Sequence, residues 1–375
     1  MSKNNNVFVY SLATQHENLG DLLINKELVC FLNTVATVVI EDKGVPDDFL
    51  YSVAGSEAVR ASSNVNSFCV KSKGFYLKSL FTKPFIDAVI LSPGHLGDSN
   101  AKRSLKKFFV LLTVIYLRLR GVKTIRVGVS FGNLSLFASF IESLSALIFS
   151  FYAVRDEASK SKLLAFSHNH CVVIPDLSLL AFDYFKNKSQ VIASVKNKLV
   201  LSFRGDRRYP LSSMQYSNLL YSDIPIKAVK EFDEILCYSQ VSFDSDEQSK
   251  IQKLLEAVHS NVSFVEECDN LDNAVSYLCD AKVVISNRLH VLLPSLMLST
   301  LAIFVGSKAM DSKIYDIYND FGLSDLIYDV ETCTEDFSVY LSRVLNDNDK
   351  YLDIIDTQLQ AQSKLLTSLL NKHIN

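Results

Sequence analysis

Short apolar runs alternate along this chain with longer segments in which apolar residues recur at helical spacing. This alternation is typical of a parallel β-sheet covered by helices on both faces, because parallel strands need crossover connections and are buried on both sides. The fold class is therefore predicted as α/β. The predicted strands are Val7–Ser11, Thr37–Glu41, Ala88–Ser92, Thr124–Val129, Ser150–Val154, Cys171–Ile174, Leu199–Phe203, Glu234–Tyr238, Val262–Val265, Val283–Ser286 and Ala302–Val305. The predicted helices are Asp21–Leu32, Ser104–Arg120, Leu134–Phe149, Ala158–Phe166, Asp246–His259, Leu271–Ala281, Leu289–Leu298 and Lys313–Phe321.

The alternation fades in the polar stretch Lys186–Lys198 and restarts at Leu199. The chain has 375 residues, more than the roughly 250–300 at which a single core stops growing. We therefore predict two successive α/β domains, residues 1–195 and 196–345, each with a mostly parallel sheet. Residues 346–375 have the pattern of a helix whose apolar stripe should pack on one domain or bridge back to the other.

Charge and cysteine content narrow the classes of function. The chain has 38 basic and 41 acidic residues and a net charge of −3, which lends no support to nucleic-acid binding or to a polybasic membrane surface. Its seven cysteines are odd in number and form no CxxC pair, which favours reduced thiols in a cytosolic protein over zinc ligands. The first residues lack the pattern of a signal peptide, which also favours a cytoplasmic location.

The longest apolar stretch, Phe108–Leu117, covers about half of a membrane span. We predict that it forms a buried helix. Basic residues bracket it on both sides, and they leave peripheral contact with the inner membrane face open as an alternative. The bracketing residues are Lys106, Lys107, Arg118 and Arg120.

Polar and glycine-rich clusters follow several predicted strands. Open α/β sheets bind ligands at this edge, where helix N-termini also favour anions. The candidate binding residues there are Gly20, Asp21, Gly94, His95, Arg155, Arg204, Asn287, Arg288, Leu289 and His290. Three of the clusters also have a structural interpretation. Asp21 can be a helix N-cap, His95 an exposed residue of a glycine-rich loop, and Arg155 a member of an ion pair.

The strongest local signal is the segment Asn287-Arg288-Leu289-His290, which follows the predicted strand Val283–Ser286. It supplies a fixed positive charge, a titratable group and backbone amides for one anionic ligand. A capped helix with an incidental histidine is the alternative. Arg204 ends another strand, where a guanidinium is suited to clamp a carboxylate or a phosphate.

One acidic motif resembles a metal site. Asp244-Ser245-Asp246 has the spacing of a metal-binding pair, but two carboxylates in a polar loop are a weak signal, and the chain offers no further ligands at metal-site spacing. We predict no metal.

The clusters form an ordered series: NLGDLLI, GHLGD, GVSFG, VRDEAS, PDLSLLAF, LSFR, ISNRLH and SKIYDIYNDFGL. In this order they resemble the polysaccharide pyruvyl transferase family over about residues 16–325. The resemblance implies a GT-B-like architecture of two Rossmann-like domains that face a cleft, with the acceptor on the first domain and the donor on the second. It also implies transfer of the pyruvyl group of phosphoenolpyruvate onto sugar hydroxyls as a ketal, in the synthesis of a surface polysaccharide of the cell envelope, without a cofactor.

The same resemblance assigns roles to individual residues. Arg288 and His290 match the donor-contacting Arg-Leu-His of the family, and His290 is the candidate general acid or base. Arg204 matches the arginine after the first strand of the second domain, and Lys313 resembles the lysine that follows a later strand. The acceptor is expected to be a glycan or a lipid-linked saccharide.

Two loops depart from the family pattern. The family's GGGNxGD is SPGHLGD here, and its QSIG-like turn is GVSFG. Both lie in the half that should face the acceptor. A GT-B-type glycosyltransferase that uses a nucleotide-activated sugar, including a 2-keto acid sugar, is therefore the main alternative. A non-catalytic assembly component is the third hypothesis.

Overall fold

The computed structural model describes residues 6–55, 59–61, 86–97, 101–190, 196–204, 218–266 and 270–374. The chain divides into two compact units. The first comprises residues 1–16, 21–180 and 364–375, and the second comprises residues 17–20 and 181–363.

The first unit is built on an eight-stranded sheet in the order β3-β2-β1-β4-β6-β7-β8, with β5 paired to β6. All of its described pairings are parallel. The strands are β1 Val7–Ser11, β2 Thr37–Glu41, β3 Val59–Arg60, β4 Ala88–Leu91, β5 Gly94–Leu96, β6 Lys123–Phe131, β7 Phe151–Val154 and β8 Val172–Val173. Its helices are α1 Leu19–Val35, α2 Asp47–Ala54, α3 Ala101–Leu119, α4 Leu136–Ile148 and α5 Glu157–Ser161.

The core of the first unit lies on both faces of this sheet. On one face, Val114 of α3 and Ala146 of α4 pack with Phe131 and Tyr152 in a single buried cluster. Each fully buried large apolar side chain contributes roughly 1.5–3 kcal/mol, so this layer fixes both helices against β6 and β7.

The second unit has a six-stranded parallel sheet in the order β11-β10-β9-β12-β13-β14. Its strands are β9 Lys198–Ser202, β10 Glu234–Tyr238, β11 Val262–Val265, β12 Val283–Ser286, β13 Leu301–Gly306 and β14 Ile327–Asp329. This is the doubly wound order of a Rossmann fold, whose topological switch point lies between β9 and β12.

The helices of the second unit are α6 Phe182–Gln190, α7 Ile224–Ala228, α8 Ser245–Glu256, α9 Leu271–Cys279, α10 Leu289–Met297, α11 Lys308–Asp320 and α12 Phe337–Asn346. The last helix, α13, runs from Asn348 to Ile374, and its residues from 364 onward belong to the first unit. No helix in the described ranges is both long and apolar enough to cross a membrane.

The predicted α/β fold class is confirmed, and several element bounds differ. The polar stretch after Lys186 begins within a helix, α6. The predicted helix Ala158–Phe166 stops at Ser161, and a 3-10 turn follows at Ala165–His170. Three short strands, β3, β5 and β14, were not predicted, because they lack the length of an apolar run and form through pairing with longer neighbours.

Candidate functional site

The switch point of the second unit brings together two of the predicted segments. β9 and β12 are adjacent and parallel, so their carboxyl ends meet at one edge. Arg204 follows β9, and its backbone N–H donates to Oδ1 of Asn287, which follows β12, at 2.7 Å. Asn287 is 2% exposed. This buried bond fixes the predicted anion-binding arginine beside the Arg-Leu-His turn.

Arg288 lies almost entirely inside the second unit. Its guanidinium donates through Nη2 to Oδ1 of Asp244, and both side chains are buried. Its backbone N–H donates to Oγ of Ser286 at 2.9 Å. Breaking a buried ion pair by removing one partner typically costs several kcal/mol. Asp244 is therefore the counter-charge that holds this guanidinium in place, and the sequence motif we interpreted as a weak metal pair has this different role.

His290 packs against Gly20, which belongs to the second unit. A methyl carbon placed at Gly20 with ideal geometry would lie 2.1 Å from Nδ1 of His290, so only glycine leaves room for the imidazole. The backbone of His290 has φ −87° and ψ 18°, in the sparsely populated region where many active-site residues occur. Leu289, which precedes it, is half-buried at the start of α10.

The turn that carries Gly20 is held by side chains of the same unit. Oδ1 of Asn18 accepts from the backbone N–H of Gly20 at 2.9 Å and from Nε2 of Gln240 at 3.1 Å. The carboxylate of Asp21 instead accepts from Oγ1 of Thr14 at 2.6 Å. The expectation that Asp21 caps the helix is thus wrong, because Asn18 takes that position.

Lys313 lies on α11, beyond a break in the helix. Asp311 has φ −122° and ψ 34° there, and Lys313 is half-buried two residues later. Lys308 stands closer to β13, at the first position of α11, with its Nζ 5.1 Å from the ring centroid of Tyr315. Two lysines thus follow β13.

The first unit contains a connected polar chain at the carboxyl edge of its sheet. Nδ1 of His95, on β5, lies 3.3 Å from Oγ of Ser130, on β6. Nη2 of Arg155 donates to the same hydroxyl at 3.0 Å, and its Nη1 donates to Oδ2 of Asp176 at 2.9 Å. Asp176 is buried and the side chain of Arg155 is 9% exposed, whereas His95 is exposed. The predicted ion pair of Arg155 is present, and it connects to the histidine of the glycine-rich loop.

Glycines shape this edge. Gly94, before His95, has φ +131°, a conformation that L-residues rarely adopt. A methyl carbon at Gly132 would lie 2.9 Å from Nε2 of His95, so the imidazole rests directly over the backbone of the GVSFG turn. Asp156 caps α5 by accepting from the N–H of Ser159 at 2.5 Å.

Sequence reasoning did not select five residues of these clusters. Asn18, Ser130 and Asp176 stand within NLGDLLI, GVSFG and PDLSLLAF, so their place after strands was a usable signal. Gln240 and Asp244 had no such signal, because their contacts depend on how distant segments fold. In the described ranges no three His, Cys, Asp or Glu side chains are grouped as metal ligands would be.

The polysaccharide pyruvyl transferase family model matches residues 18–309. The match covers most of the chain and includes the residues described above from Asn18 to Lys308, so the chain belongs to the polysaccharide pyruvyl transferase family, a family of transferases. No curated protein sequence matches the chain.

Solved structures share the fold over nearly the whole chain. UDP-GlcNAc 2-epimerase from Neisseria meningitidis, bound to UDP-GlcNAc, superposes with a TM-score of 0.61 at 12% identity and covers 99% of both chains. A glycosyltransferase from Rickettsia africae gives 0.59 at 12% identity and covers 99% of this chain and 97% of its own. The Anabaena protein HepE, in complex with UDP-glucose, gives 0.55 at 11% identity and covers 98% of each. The predicted GT-B-like architecture is therefore confirmed.

Proposed function

We propose that this enzyme transfers the pyruvyl group of phosphoenolpyruvate onto two hydroxyls of a sugar, in a surface polysaccharide or its lipid-linked precursor. In the balanced reaction, C3 of the enol accepts a proton and becomes a methyl group, while two sugar oxygens bond to C2. The bond from C2 to the phosphate oxygen breaks, and phosphate leaves with the second hydroxyl proton. The balance requires no oxidant or reductant.

The observation that carries this proposal is the bond between Arg204 and Asn287, together with the family match. It joins the ends of the two strands at the switch point, where Rossmann folds bind anionic ligands. Phosphoenolpyruvate carries a carboxylate and a phosphate, which call for more than one cation. We assign donor binding in the second unit to Arg204, Arg288 and Lys313, with Asp244 orienting the guanidinium of Arg288.

We assign proton transfer at the donor to His290. General acid–base catalysis by a placed side chain typically contributes ~10²–10⁴-fold. The close packing of its imidazole against Gly20 supports this role, because it limits the positions that the ring can take.

We assign the acceptor to the first unit, with His95 contacting a sugar hydroxyl. This histidine is exposed. Ser130 and Asp176 are buried, and their hydrogen bonds to Arg155 complete a polar chain that would hold the ring. Replacing His95 by alanine should then raise the KM for the acceptor and leave the KM for the donor unchanged.

The second candidate is a glycosyltransferase that uses a nucleotide-activated sugar. The observation that favours it is the shared architecture with proteins solved in complex with UDP-sugars. A nucleotide-activated keto acid sugar also carries a carboxylate and a phosphate, so the same cations could serve it.

A cytoplasmic location is part of the proposal. Among the described cysteines none is paired. Burial raises the pKa of Cys237 to about 12, which marks a packed, unreactive thiol. This state is the one expected in a reducing compartment.

Thermal-shift measurements with phosphoenolpyruvate and with a panel of nucleotide sugars test the donor. A ligand at a hundred times its dissociation constant should stabilise the folded protein by ~2.7 kcal/mol. Stabilisation by a nucleotide sugar and not by phosphoenolpyruvate would contradict the pyruvyl transferase and favour the glycosyltransferase.

Kinetics of two variants test the site itself. Arg288→Ala should raise the KM for the donor, because it removes a contact present before chemistry, whereas His290→Ala should mainly lower kcat. Well-folded variants with unchanged KM and kcat would remove both residues from the site.

A further inference from the structure

Exposed apolar side chains are concentrated on two neighbouring helices of the first unit. Of the fifteen large apolar residues that are exposed in the described ranges, eight lie on α3 and α4. We call six of them the apolar face: Leu105, Phe109, Leu112, Leu136, Phe137 and Phe140. The other exposed apolar residues are distributed over many elements, as on an ordinary protein surface.

The residues of the apolar face lie on one side of each helix. Leu105, Phe109 and Leu112 are four and three residues apart, a spacing that places them on one side of α3. Leu136, Phe137 and Phe140 occupy the first two turns of α4. Both helices cover the same face of the sheet, where their inner sides share one buried cluster. Their outer sides therefore present apolar side chains next to one another.

The segment of sequence that carries this face is one-sided in charge. Residues 99–141 contain eight of the chain's 38 Lys and Arg and none of its 41 Asp and Glu. The next acidic residue, Glu142, is buried, and its carboxylate accepts from Arg126 at 2.9 Å and from Tyr152 at 2.7 Å. Lys107 lies 3.4 Å from the same carboxylate, so two of the eight basic residues pair with Glu142 inside the unit. The other six give the segment a positive excess that the overall charge of −3 conceals.

We propose that the apolar face, together with its basic flanks, is a docking surface for an anionic lipid bilayer. An interfacial surface of this kind buries apolar side chains about 5–10 Å deep, at the boundary of headgroups and acyl chains, while Lys and Arg meet the anionic headgroups. Lys106 is exposed on α3 next to Leu105 and fits that role.

The positive charge of this segment favours binding to an anionic bilayer over binding to a second copy of the chain. A symmetric dimer through this face would bring the same basic segment against itself, and like charges across an interface disfavour association. Binding of a bilayer through this face does not depend on which donor the enzyme uses.

The chain has no tryptophan, so a single introduced tryptophan reports its own surroundings. Phe109→Trp and Phe137→Trp place the probe on the face at two exposed positions. Val339→Trp is the matched control, because Val339 is 57% exposed and Phe109 58%, and Val339 lies on α12 of the other unit. Each variant is first checked for an unchanged melting temperature, and the second face variant stands in if the first fails to fold.

With vesicles of phosphatidylcholine and phosphatidylglycerol, emission of both face variants should shift to shorter wavelength, and the control should not respond. Raising salt from about 0.1 M to about 1 M shortens the screening length from ~10 Å to ~3 Å and should weaken binding. Each basic residue near such a surface raises the partition coefficient roughly fivefold. Lys106→Glu should therefore lower the partition coefficient by roughly tenfold or more, and vesicles of phosphatidylcholine alone should bind much less.

The proposal is overturned if the face variants do not respond to anionic vesicles, or if Val339→Trp responds equally. It is also overturned if the emission shift occurs without lipid and follows protein concentration, with dimers in analytical ultracentrifugation, since the face would then join two copies.

Discussion

The effect of Gly20→Ala on stability should change sign according to whether His290 is present. A methyl carbon at position 20 would lie 2.1 Å from Nδ1, 2.5 Å from Cγ and 2.8 Å from Cβ of His290. Because Cβ of the histidine is itself too close, rotating the imidazole does not relieve the overlap. Non-bonded heavy atoms prefer separations of about 3.5–4.0 Å, so the histidine or the turn must move by more than about 1 Å.

The two opposing effects have different sizes. Overpacking of this kind typically costs about 1–3 kcal/mol. Without the imidazole, alanine at this second residue of α1 should stabilise the protein by roughly 0.4–1 kcal/mol, because it restricts the unfolded chain. The coupling free energy between the two positions should therefore be about 1.4–4 kcal/mol. Under the proposed function, the same displacement should lower kcat by roughly 10²-fold.

Urea unfolding of the wild type, Gly20→Ala, His290→Ala and the double variant measures this coupling. Gly97→Ala is the matched control, since a methyl carbon there would lie 3.8 Å from its nearest neighbour, Nε2 of His95. A Gly20→Ala variant that is neutral in the wild-type background, or that has equal effects in both backgrounds, would refute the packing of His290 against Gly20.

Three further changes should have distinct outcomes. Asp244→Asn keeps the shape of the side chain but removes the counter-charge of buried Arg288, so the free energy of unfolding should fall by roughly 3–5 kcal/mol; an unchanged urea midpoint would contradict this. Arg288→Lys should restore little of the donor affinity lost in the alanine variant, because a point charge cannot replace the planar guanidinium, and donor KM values decide the matter. Burial lowers the pKa of His373, so protonation favours the unfolded chain. Its contribution to stability is present above pH ~6.5 and is lost as the pH falls through the lower folded-state pKa. His373→Phe keeps a ring against Phe151 but has no group to protonate. Between pH 7 and pH 5 its melting temperature should therefore fall less than that of the wild type. An equal fall in both would contradict the role of His373 in this pH dependence.

The sequence predicted the longer elements of the fold because their patterns are set locally. The strand Val283–Ser286 was predicted with the bounds it has, since a buried parallel strand is a continuous run of β-branched residues. β5 has no such run, and it forms because the backbone of Gly94–Leu96 pairs with the end of β6. The helix predicted from Lys313 begins earlier, because the side chain of Ser307 accepts from the N–H of Ala309 and starts a first turn before the break at Asp311.

The candidate site was predictable to the same degree. Arg204 and Asn287 could be expected near one another, because both follow adjacent parallel strands. The contact between Asp244 and Arg288 could not be expected, since it spans 44 residues and depends on the path of the loop after β10. Short polar segments acquire their roles from tertiary structure, which residue type and spacing do not encode.

The division of α13 between the two units has a consequence for how the protein is made. Leu366, Leu370 and Ile374 are fully buried, and the ring of His373 stacks on that of Phe151 at 4.4 Å between centroids. These residues belong to the first unit, although a ribosome makes them after the entire second unit. The core of the first unit therefore stays incomplete during synthesis until residues 364–374 have been made. A fragment that stops at residue 180 would keep that opening permanently, and it should need residues 364–374 supplied as a grafted or separate peptide to fold.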